Sequence, residues 1–466
     1  MKEVKQQMKE ITISADKAVA LLEQKKYAAL RIILNAMEPA DIAEFMDEIP
    51  KEQYPIVFRI LPKELAAEVF VEMDSDHQEM LIESFSDNEL KEVLDELYVD
   101  DTVDIIEEMP ANVVERILKN SKPDMRTIIN EVLKYPKDSA GSIMTTEYVS
   151  LKERLTVEQA FDLIRKVAID KETIYTCYVT DANRKLIGLI TARTLMLSPK
   201  DAVIGDIMEQ NVIFASTMDD QEEVAAMIEK YDLLAIPVVD AEQRLVGIVT
   251  VDDAIDVIHD EAEEDFAVMA AVTPSEKEYI KTPVLDLFKA RIPWLMLLMI
   301  SATFTGMIIS SFEEALQFLP ALTAFIPMLM DTGGNSGSQA SVTIIRGISL
   351  NEIKFRDTFK VLWKELRVSV LCGGALAVVN FGKIILVDGY LLRNASITGN
   401  LMIPLAVCLT LFITVVCAKL IGCSLPLLAK KIGFDPAVMA SPFITTIVDA
   451  VSLLVYFQIA KALLLG

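Results

Sequence analysis

The stretch VMASPFITTIVDAVSLLVYF, residues 438–457, places a carboxylate inside an otherwise apolar run. A membrane-spanning helix needs about 20 residues, so Asp449 would lie near the middle of the bilayer. A charge at that depth costs about 3 kcal/mol on insertion scales and is found where it faces other helices or a water-filled path. Ser441, Thr445 and Asp449 share one helical face, because they are four residues apart. Oxygen ligands without His or Cys suit a hard cation, so this stretch predicts a site for Mg²⁺ or Ca²⁺.

Further apolar segments precede this one, and together they predict five membrane-spanning helices. The ranges are Pro293–Ser311, Leu316–Met330 extended by small residues to Ile345, Val368–Val387, Leu401–Leu428 and Val438–Leu465. Lys and Arg concentrate in the loops on the N-terminal side of the membrane, so the positive-inside rule predicts a cytosolic N-terminus. Met1–Lys26 is charged and has no apolar core of a signal peptide, which agrees with that orientation. We therefore expect a multi-pass protein of the cell membrane, with the bilayer as its surroundings.

The charge divides at the start of these segments. Residues 1–280 hold 59 of the 69 Asp and Glu residues but 29 of the 44 Lys and Arg residues. An acidic soluble part favours cations as partners, and the lack of a Lys/Arg block argues against nucleic-acid binding. Five cysteines without a CxxC pair argue against a disulfide scaffold.

A second landmark in the membrane part is DTGGNSGSQ, residues 331–339. Small residues let helices approach closely, and exposed backbone or amide oxygens can line a cavity. No GKS or GKT follows, so the stretch is not a phosphate-binding loop. Helix packing alone would explain the glycines, but the adjoining Asp favours pore lining, by Gly333, Gly334, Asn335 and Gln339 together with Ser441 and Thr445.

The charge of the cation suggests a dimer. One Asp449 supplies one negative charge, whereas a divalent cation needs about two. An isologous two-fold dimer with Asp449 near its axis would supply both. Mg²⁺ sheds water reluctantly, so the two carboxylates would hold a hydrated ion.

An internal repeat lies upstream of the membrane part. GSIM at 141–144 recurs as GDIM at 205–208, and YVTDANRKLIGLIT, ending at Thr191, recurs as PVVDAEQRLVGIVT, ending at Thr250. Each copy reads as a helix, two short strands and a helix. The pair resembles tandem CBS domains, which often bind adenine nucleotides such as ATP. The resemblance implies a ribose contact at Thr250 and Asp253, whereas the first copy has Thr194 in place of that Asp; a purely structural pair is the alternative.

The residues before the repeat, Asp41–Lys119, show a shorter period of about 12 residues. The short helical runs are separated at Pro50, Pro62, Asp74, Ser86 and Pro110. This spacing predicts a superhelical array of short helices with acidic outer faces. Two dense acidic runs, 95–108 and 252–265, could pack together only with cations between them.

The order of these parts resembles the MgtE family of magnesium channels over nearly the whole chain. The motifs that carry the resemblance are GGNSGSQ, Asp435-Pro436, Ser441-Pro442, Thr445-Thr446-Ile-Val-Asp449 and VTVDDAIDVIHDEAEED. It implies a mixed fold: an all-α superhelical N-domain (1–136), two α/β CBS domains (137–200 and 201–260), a connecting helix (261–284) and a five-helix α transmembrane domain (285–466).

The resemblance also implies a homodimeric Mg²⁺ channel, not an enzyme, with Mg²⁺ as both substrate and regulator. Asp449 would be the pore carboxylate, and Asp435 would lie near the cytoplasmic mouth. Regulatory Mg²⁺ ligands are implied at Glu68, Asp100, Asp104, Asp232, Asp253, Asp256, Glu261, Glu264 and Asp265. We expect bound Mg²⁺ to bridge these acids and close the pore when cytosolic Mg²⁺ is plentiful.

Three other functions compete with this one. A CBS-regulated transporter of another divalent cation or of an organic solute fits the same architecture, although no aromatic cage for quaternary amines is evident. An intramembrane metalloprotease needs an HExxH pair, and the two histidines, His77 and His259, lie in the soluble part. A sensor without transport would not need Asp449 within a span.

Overall fold

The computed structural model describes residues 17–168, 171–275, 279–280, 282–312, 320–350, 352–391, 401–439 and 441–465. The chain divides into two compact units, Met1–Ile258 and His259–Gly466. The first unit contains the acidic helical array and the internal repeat. The second contains the long apolar helices.

The first unit begins with an array of short helices. They are α1 (Tyr27–Leu34), α2 (Pro39–Asp47), a 3-10 turn (Lys51–Gln53), α3 (Tyr54–Phe58), α4 (Lys63–Val71), α5 (Ser75–Ser84), α6 (Asp87–Leu94), α7 (Val99–Glu108), α8 (Ala111–Asn120) and α9 (Pro123–Val132).

The residues that separate the helical runs in the sequence explain these boundaries. Pro62, Asp74, Ser86 and Pro110 each stand at the N-cap of a helix. Ser86 forms a full capping box with Glu89, which satisfies backbone N–H groups of the first turn of α6. The apolar face of each helix packs into one continuous core that includes Phe45, Phe70 and Leu81. The periodic helical array predicted from the sequence is therefore present.

The internal repeat forms two small three-stranded sheets. The elements are β1 (Ser150–Lys152), α10 (Val157–Val167), β2 (Thr176–Thr180), β3 (Leu186–Thr191), α11 (Ala192–Leu197), α12 (Ile204–Ile207), β4 (Ala215–Ser216), α13 (Gln221–Tyr231), β5 (Ala235–Val239) and β6 (Leu245–Thr250). In each sheet the first strand runs parallel to the second and the third runs antiparallel to it. Both sheets carry the same register shift near the end of the middle strand, after Val179 and after Val238.

The repeated sequence motifs hold the two copies together. Met208 of the second copy lies against Gly188 of the first, where a Cβ would be only 2.5 Å from its sulfur. Met144 of the first copy lies against Gly247 of the second, with a corresponding distance of 2.6 Å. Only glycine fits at these two strand positions, because any side chain would displace the methionine. The GxIM and Gly positions recur in the sequence because they form this crosswise contact.

Helix α14 (Val251–Met269) follows β6 directly. It contains the acidic run 252–265 and passes through the division between the two units. The predicted connecting helix, 261–284, is thus continuous with the second repeat copy as far as Met269, and residues 271–275 are not helical. Residues 276–278 and 281 lie outside the described residues.

The second unit consists of long helices. They are α15 (Val284–Ser311), a 3-10 turn (Pro320–Phe325), α16 (Ile326–Ser349), α17 (Thr358–Lys383, continued by a π-helical stretch Ile384–Leu391), α18 (Met402–Ile432) and α19 (Ser441–Ala460, continued by Lys461–Leu465). Within the described residues, four helical segments are long and apolar enough to cross a membrane: Val284–Ser311, Phe355–Val387, Met402–Ile432 and Pro436–Leu464.

Helix α16 is the remaining candidate for the five predicted spans. It covers 24 residues and includes the polar DTGGNSGSQ motif, which keeps it outside that apolar set. The helix that contains the motif continues to Ser349, which agrees with the predicted extension of the second span to Ile345. The start of that predicted span cannot be compared, because residues 313–319 lie outside the described residues. The count of five spans stays a prediction.

Glycines set the packing of α16. A Cβ on Gly422 of α18 would lie 2.2 Å from the carbonyl oxygen of Gly337, so the two backbones touch. Gly333 and Gly334 lie against α19, where a Cβ would come within 2.9 Å of Ser452 and Thr445 side-chain atoms. These contacts place α16 against both α18 and α19 at the close distance that small residues permit in membrane proteins.

Candidate cation sites

A pocket in the first unit gathers seven carboxylates. Its volume is about 260 Å³, and it lies between helices α4 and α7 of the array and the start of α14. The acids that line it are Glu68, Glu72, Asp100, Asp101, Glu172, Asp252 and Asp253. No basic side chain is among its described lining residues. Seven like charges at one pocket repel one another unless protons or cations neutralise them.

Three of the predicted ligands, Glu68, Asp100 and Asp253, line this pocket. Asp100 has 6% of its surface exposed, and its Oδ1 atom has no hydrogen-bond partner among the described residues. Asp253 is half-buried, and its Oδ2 atom accepts hydrogen bonds from the backbone N–H and the hydroxyl of Thr250. A buried carboxylate oxygen without a donor is costly in water-poor surroundings, and a bound cation would satisfy it.

Glu172 is a pocket residue that the sequence did not single out. It follows α10 in the first repeat copy, and its Oε2 atom is buried without a hydrogen-bond partner in the described part of the chain. Its backbone N–H donates to the carbonyl of Glu147, which fixes the chain at this point. No acidic run or repeat signals Glu172, because only the fold brings it next to Asp100.

The pKa values of these acids reflect burial and mutual repulsion. Burial, followed by the charges of Asp253 and Asp101, raises the pKa of Asp100 well above its ordinary value. The same kinds of cause raise the pKa of Asp101 to about 6 and that of Glu172 to about 7. Asp104, a predicted ligand on α7, is exposed and is not among the described lining residues. Desolvation, followed by the charge of Asp253, raises its pKa to about 7. Because the Asp104 side chain is exposed to water, we attribute this rise in pKa to the neighbouring negative charges more than to burial.

The pocket has room for hydrated metal ions. A water molecule occupies about 30 Å³ in the liquid, so about 260 Å³ holds an ion with its six inner waters and more. Mg²⁺ keeps several waters and binds through one or two carboxylates, whereas Ca²⁺ takes more direct oxygen ligands. All-oxygen lining with no His or Cys fits either hard cation.

The other predicted regulatory ligands do not line this pocket. Asp232 is exposed at the C-terminal end of α13 with a left-handed backbone (φ 51°). Asp256 is exposed on α14, and its charge acts on Asp253. Glu261 and Glu264 lie further along α14 in the second unit.

Asp265, also on α14, belongs to a separate acidic pair in the second unit. Its Oδ2 accepts a hydrogen bond of 3.1 Å from the Ser349 hydroxyl at the end of α16. Burial raises its pKa, the bond from Ser349 opposes the rise, and the charge of Asp435 adds to it. Asp435 is exposed, and its Oδ1 accepts from the backbone N–H of Ala437. The two predicted ligands Asp265 and Asp435 are therefore neighbours.

Asp449 lies on α19 and is half-buried. One turn before it, Thr445 donates its hydroxyl to the carbonyl of Pro442 and contacts Gly334 of α16. The side chain of Ser441, the third residue of the predicted face, lies outside the part that the structure describes.

Asp331 of α16 faces Asp449, and the sequence did not assign it to the site. Helices α16 and α19 run antiparallel, because Gly333 contacts Ser452 while Gly337, further along α16, contacts Ile444. Starting from the contact of Gly334 with Thr445, one turn back on α16 is Asp331 and one turn forward on α19 is Asp449. The two carboxylates are close enough for their charges to interact. A single chain therefore supplies two carboxylates at this level.

The glycines and the amides of the DTGGNSGSQ motif occupy different faces of α16. Gly333 and Gly334, predicted to line the pore, are buried against α19. Asn335 and Gln339 are exposed and continue, at four-residue steps, the polar face that begins at Asp331. A polar face exposed from a membrane helix is costly against lipid and requires a water-filled path or another protein surface.

Comparison with known proteins identifies the family. A model described as the MgtE intracellular N domain matches residues 37–138, and CBS domain models match 140–200 and 204–260. A model described as a divalent cation transporter matches residues 326–459. The magnesium transporter MgtE of Thermus thermophilus is 35% identical over 447 residues, which cover 95% of this chain and 97% of that protein. The chain belongs to the MgtE family.

Other relatives agree with this assignment. The magnesium transporter MgtE of Bacillus subtilis is 32% identical over 450 residues and covers 95% of this chain and 96% of its own length. Both relatives are transporters by name, and this chain has apolar helices long enough to cross a membrane. The predicted membrane location and the prediction that the chain is not an enzyme are therefore confirmed at the level of the family.

Two solved structures resemble the soluble part. The cytosolic domain of the Mg²⁺ channel MgtE in complex with ATP is 36% identical, with a TM-score of 0.50 over 52% of this chain and 99% of that chain. The soluble part of a magnesium transporter is 31% identical, with a TM-score of 0.51 over 54% of this chain and 99% of that chain. These similarities support the MgtE-type N-domain and CBS pair.

Proposed function

We propose that this protein is a homodimeric Mg²⁺ channel of the cell membrane that imports magnesium and closes when cytosolic Mg²⁺ is abundant. The observation that carries the proposal is the polar face of α16, with Asp331 opposite Asp449, next to the four apolar segments that the described part of the membrane unit contains. The relatives named as magnesium transporters support Mg²⁺ as the substrate.

The transport path would follow this polar face. Asp331 and Asp449 would attract the cation, and Asn335 and Gln339 would contact its waters. Two copies related by a two-fold axis would surround the ion with four carboxylates, and each exposed polar face would then meet water or the partner instead of lipid. Because Mg²⁺ holds its inner waters firmly, carboxylates and amides acting through water are suitable ligands.

The acidic pocket would be the sensor. Without cations, its seven carboxylates repel and favour separation of the helical array from the second CBS domain. Bound Mg²⁺ neutralises them and favours the compact state, so the ion shifts the population by its greater affinity for that state. Asp232, Asp256, Glu261, Glu264 and Asp265 would add cation contacts in the dimer, and α14 would carry the change toward the pore.

An adenine nucleotide such as ATP is a further proposed ligand of the CBS pair, supported by the relative solved with ATP. Thr250 and Asp253 are poor candidates for its ribose contact, because they line the acidic pocket, where seven carboxylates would repel the phosphates. We therefore assign Asp253 to cation sensing.

Growth complementation tests the transport function. A bacterial strain that depends on added Mg²⁺ should grow at low Mg²⁺ when it expresses this chain, and Asp449→Asn should abolish the rescue at equal expression. Asp286→Asn, an exposed change in the first turn of α15, is the matched acidic control and should support growth. Equal rescue by Asp449→Asn would remove Asp449 from the path. Uptake of Co²⁺, Mn²⁺ and Ca²⁺ in competition with Mg²⁺ would distinguish a magnesium channel from a transporter of another divalent cation.

A further inference from the structure

Three metal-ligating side chains meet in the helical array, away from the acidic pocket. Asp47 is the last residue of α2, Asp74 stands at the N-cap of α5, and His77 lies in the first turn of α5. The Nδ1 atom of His77 is 3.1 Å from Oδ1 of Asp47 and 3.8 Å from Oδ2 of Asp74. Ligand atoms of all three residues lie within 4.8 Å of one another.

The three side chains of the cluster differ in how deeply they are buried. The His77 side chain is 6% exposed, whereas those of Asp47 and Asp74 are 39% and 42% exposed. The imidazole therefore forms the buried base, and the two carboxylates open to solvent. A cation could enter from water between the carboxylates and reach the imidazole nitrogen without a change in the helices.

The surroundings of His77 hold its ring in this orientation. The Tyr54 hydroxyl lies 3.5 Å from Nε2, and the two rings pack edge to face with centroids 5.0 Å apart. Tyr54 is itself 1% exposed. Metal-binding histidines usually have their second ring nitrogen engaged by a polar neighbour, which fixes the tautomer and directs the other nitrogen at the metal. Tyr54 is placed to serve that purpose.

The spacing of the ligand atoms fits a small divalent ion. Bonds of about 2.1 Å to nitrogen and oxygen put neighbouring ligand atoms about 3.0 Å apart at right angles and about 3.4 Å apart at tetrahedral angles. The distances of 3.1 Å and 3.8 Å need only small rotations of exposed carboxylates to meet these values.

The ligand types select the class of ion. Mg²⁺ and Ca²⁺ prefer all-oxygen sites, as in the acidic pocket, whereas an imidazole nitrogen adds affinity for first-row transition metals. None of the three residues is among the described lining of that pocket. We propose that Asp47, Asp74 and His77 form a binding site for a transition-metal dication such as Zn²⁺, Co²⁺ or Mn²⁺, separate from the sites for Mg²⁺. Such an ion would link the end of α2 to the start of α5.

The test uses the purified full-length protein in detergent, freed of metals by a chelator and then kept in excess Mg²⁺, which occupies the all-oxygen sites. Co²⁺ is titrated in, and its visible absorption reports the coordination geometry of the bound ion, while equilibrium dialysis counts bound ions. We expect one Co²⁺ per chain that Zn²⁺ displaces. His77→Gln should weaken Co²⁺ binding by more than the roughly 10- to 100-fold typical of losing an outer-shell partner.

Asp74→Asn provides a second variant at an exposed position, in case His77→Gln does not fold, and it should also weaken Co²⁺ binding. Glu44→Gln, an exposed change on α2 one turn before Asp47, is the control and should bind Co²⁺ like the parent chain. Absence of Co²⁺ binding in the parent chain, or unchanged binding in both His77→Gln and Asp74→Asn, would overturn the proposal. The cluster would then be a structural contact between His77 and the two aspartates.

Discussion

Replacing Glu172 by Gln tests the sensor pocket, because the change should act in opposite directions with and without Mg²⁺. Glu172 is half-buried among other acids, and its pKa is raised from 4.5 to about 7. Without metal, the Glu172 side chain loses its proton near pH 4.5 in the unfolded chain but near pH 7 in the folded chain. The loss of folding stability caused by Glu172 therefore grows as the pH rises between these values and is complete above about pH 7.

The size of the effect follows from the shift in pKa. Each unit corresponds to about 1.4 kcal/mol, which gives an upper limit of about 3 kcal/mol for Glu172. Solvent screens this partly exposed group, so we expect about 1–2 kcal/mol. At pH 8 without metal, Glu172→Gln should stabilise the contact between the helical array and the repeat by this amount. In saturating Mg²⁺ it should destabilise the contact, because a ligand is lost.

Amide hydrogen exchange in α7 measures this local stability, since exchange reports the free energy of local opening. The full-length protein is compared with and without Mg²⁺ at pH 8. Glu153→Gln, an exposed change in the same repeat copy, is the control and should alter neither state. If Glu172→Gln slows exchange in both conditions, or leaves the Mg²⁺ effect unchanged, then Glu172 does not contact the bound cation and the reasoning fails.

Further predictions concern the pocket and the membrane unit. In metal-free protein, α7 should lose protection from hydrogen exchange as the pH rises from about 4 to about 6. The reason is that the pKa of Asp101 is about 6 in the folded chain and lower in the unfolded chain. Constant protection over this range would contradict the role of charge repulsion. Asp331→Asn should lower Mg²⁺ uptake at low external Mg²⁺ by about tenfold or more, the equivalent of about 1.4 kcal/mol, whereas equal uptake would exclude Asp331 from the path. Gly422→Ala should destabilise the membrane unit by about 1–3 kcal/mol, because the added Cβ would collide with the carbonyl of Gly337. Both tryptophans of the chain lie in that unit, and their fluorescence should show unfolding at a lower temperature. An unchanged transition would mean that α16 and α18 can separate freely.

The sequence predicted the helical array and the repeat because their signals are local. Ser86 and Glu89 form a capping box from residues three apart, and such a pair can be read directly from the chain. The recurring glycines of the repeat can also be read from the sequence, but the contact that requires glycine there cannot. The contact of Gly188 with Met208 joins one copy to the other, so only the fold reveals it.

The candidate sites were partly predictable for the same reason. Asp100 and Asp253 belong to dense acidic runs, and the structure brings them to one pocket. Glu172 has no such signal, because the fold brings it there, where its backbone N–H donates to the carbonyl of Glu147. Asp331 was visible at the start of DTGGNSGSQ, but its position opposite Asp449 depends on the antiparallel contact through Gly334.

Ion flux into liposomes that contain the purified protein tests the central claim most directly. Mg²⁺ entry is followed with a Mg²⁺-sensitive dye inside the liposomes, with the soluble part facing outward and bathing Mg²⁺ varied. We expect Mg²⁺ flux in the parent chain that falls as Mg²⁺ at the soluble side saturates the acidic pocket, and no flux in Asp449→Asn. Flux of equal size in Asp449→Asn, or no Mg²⁺ flux in the parent chain at any concentration, would contradict the account.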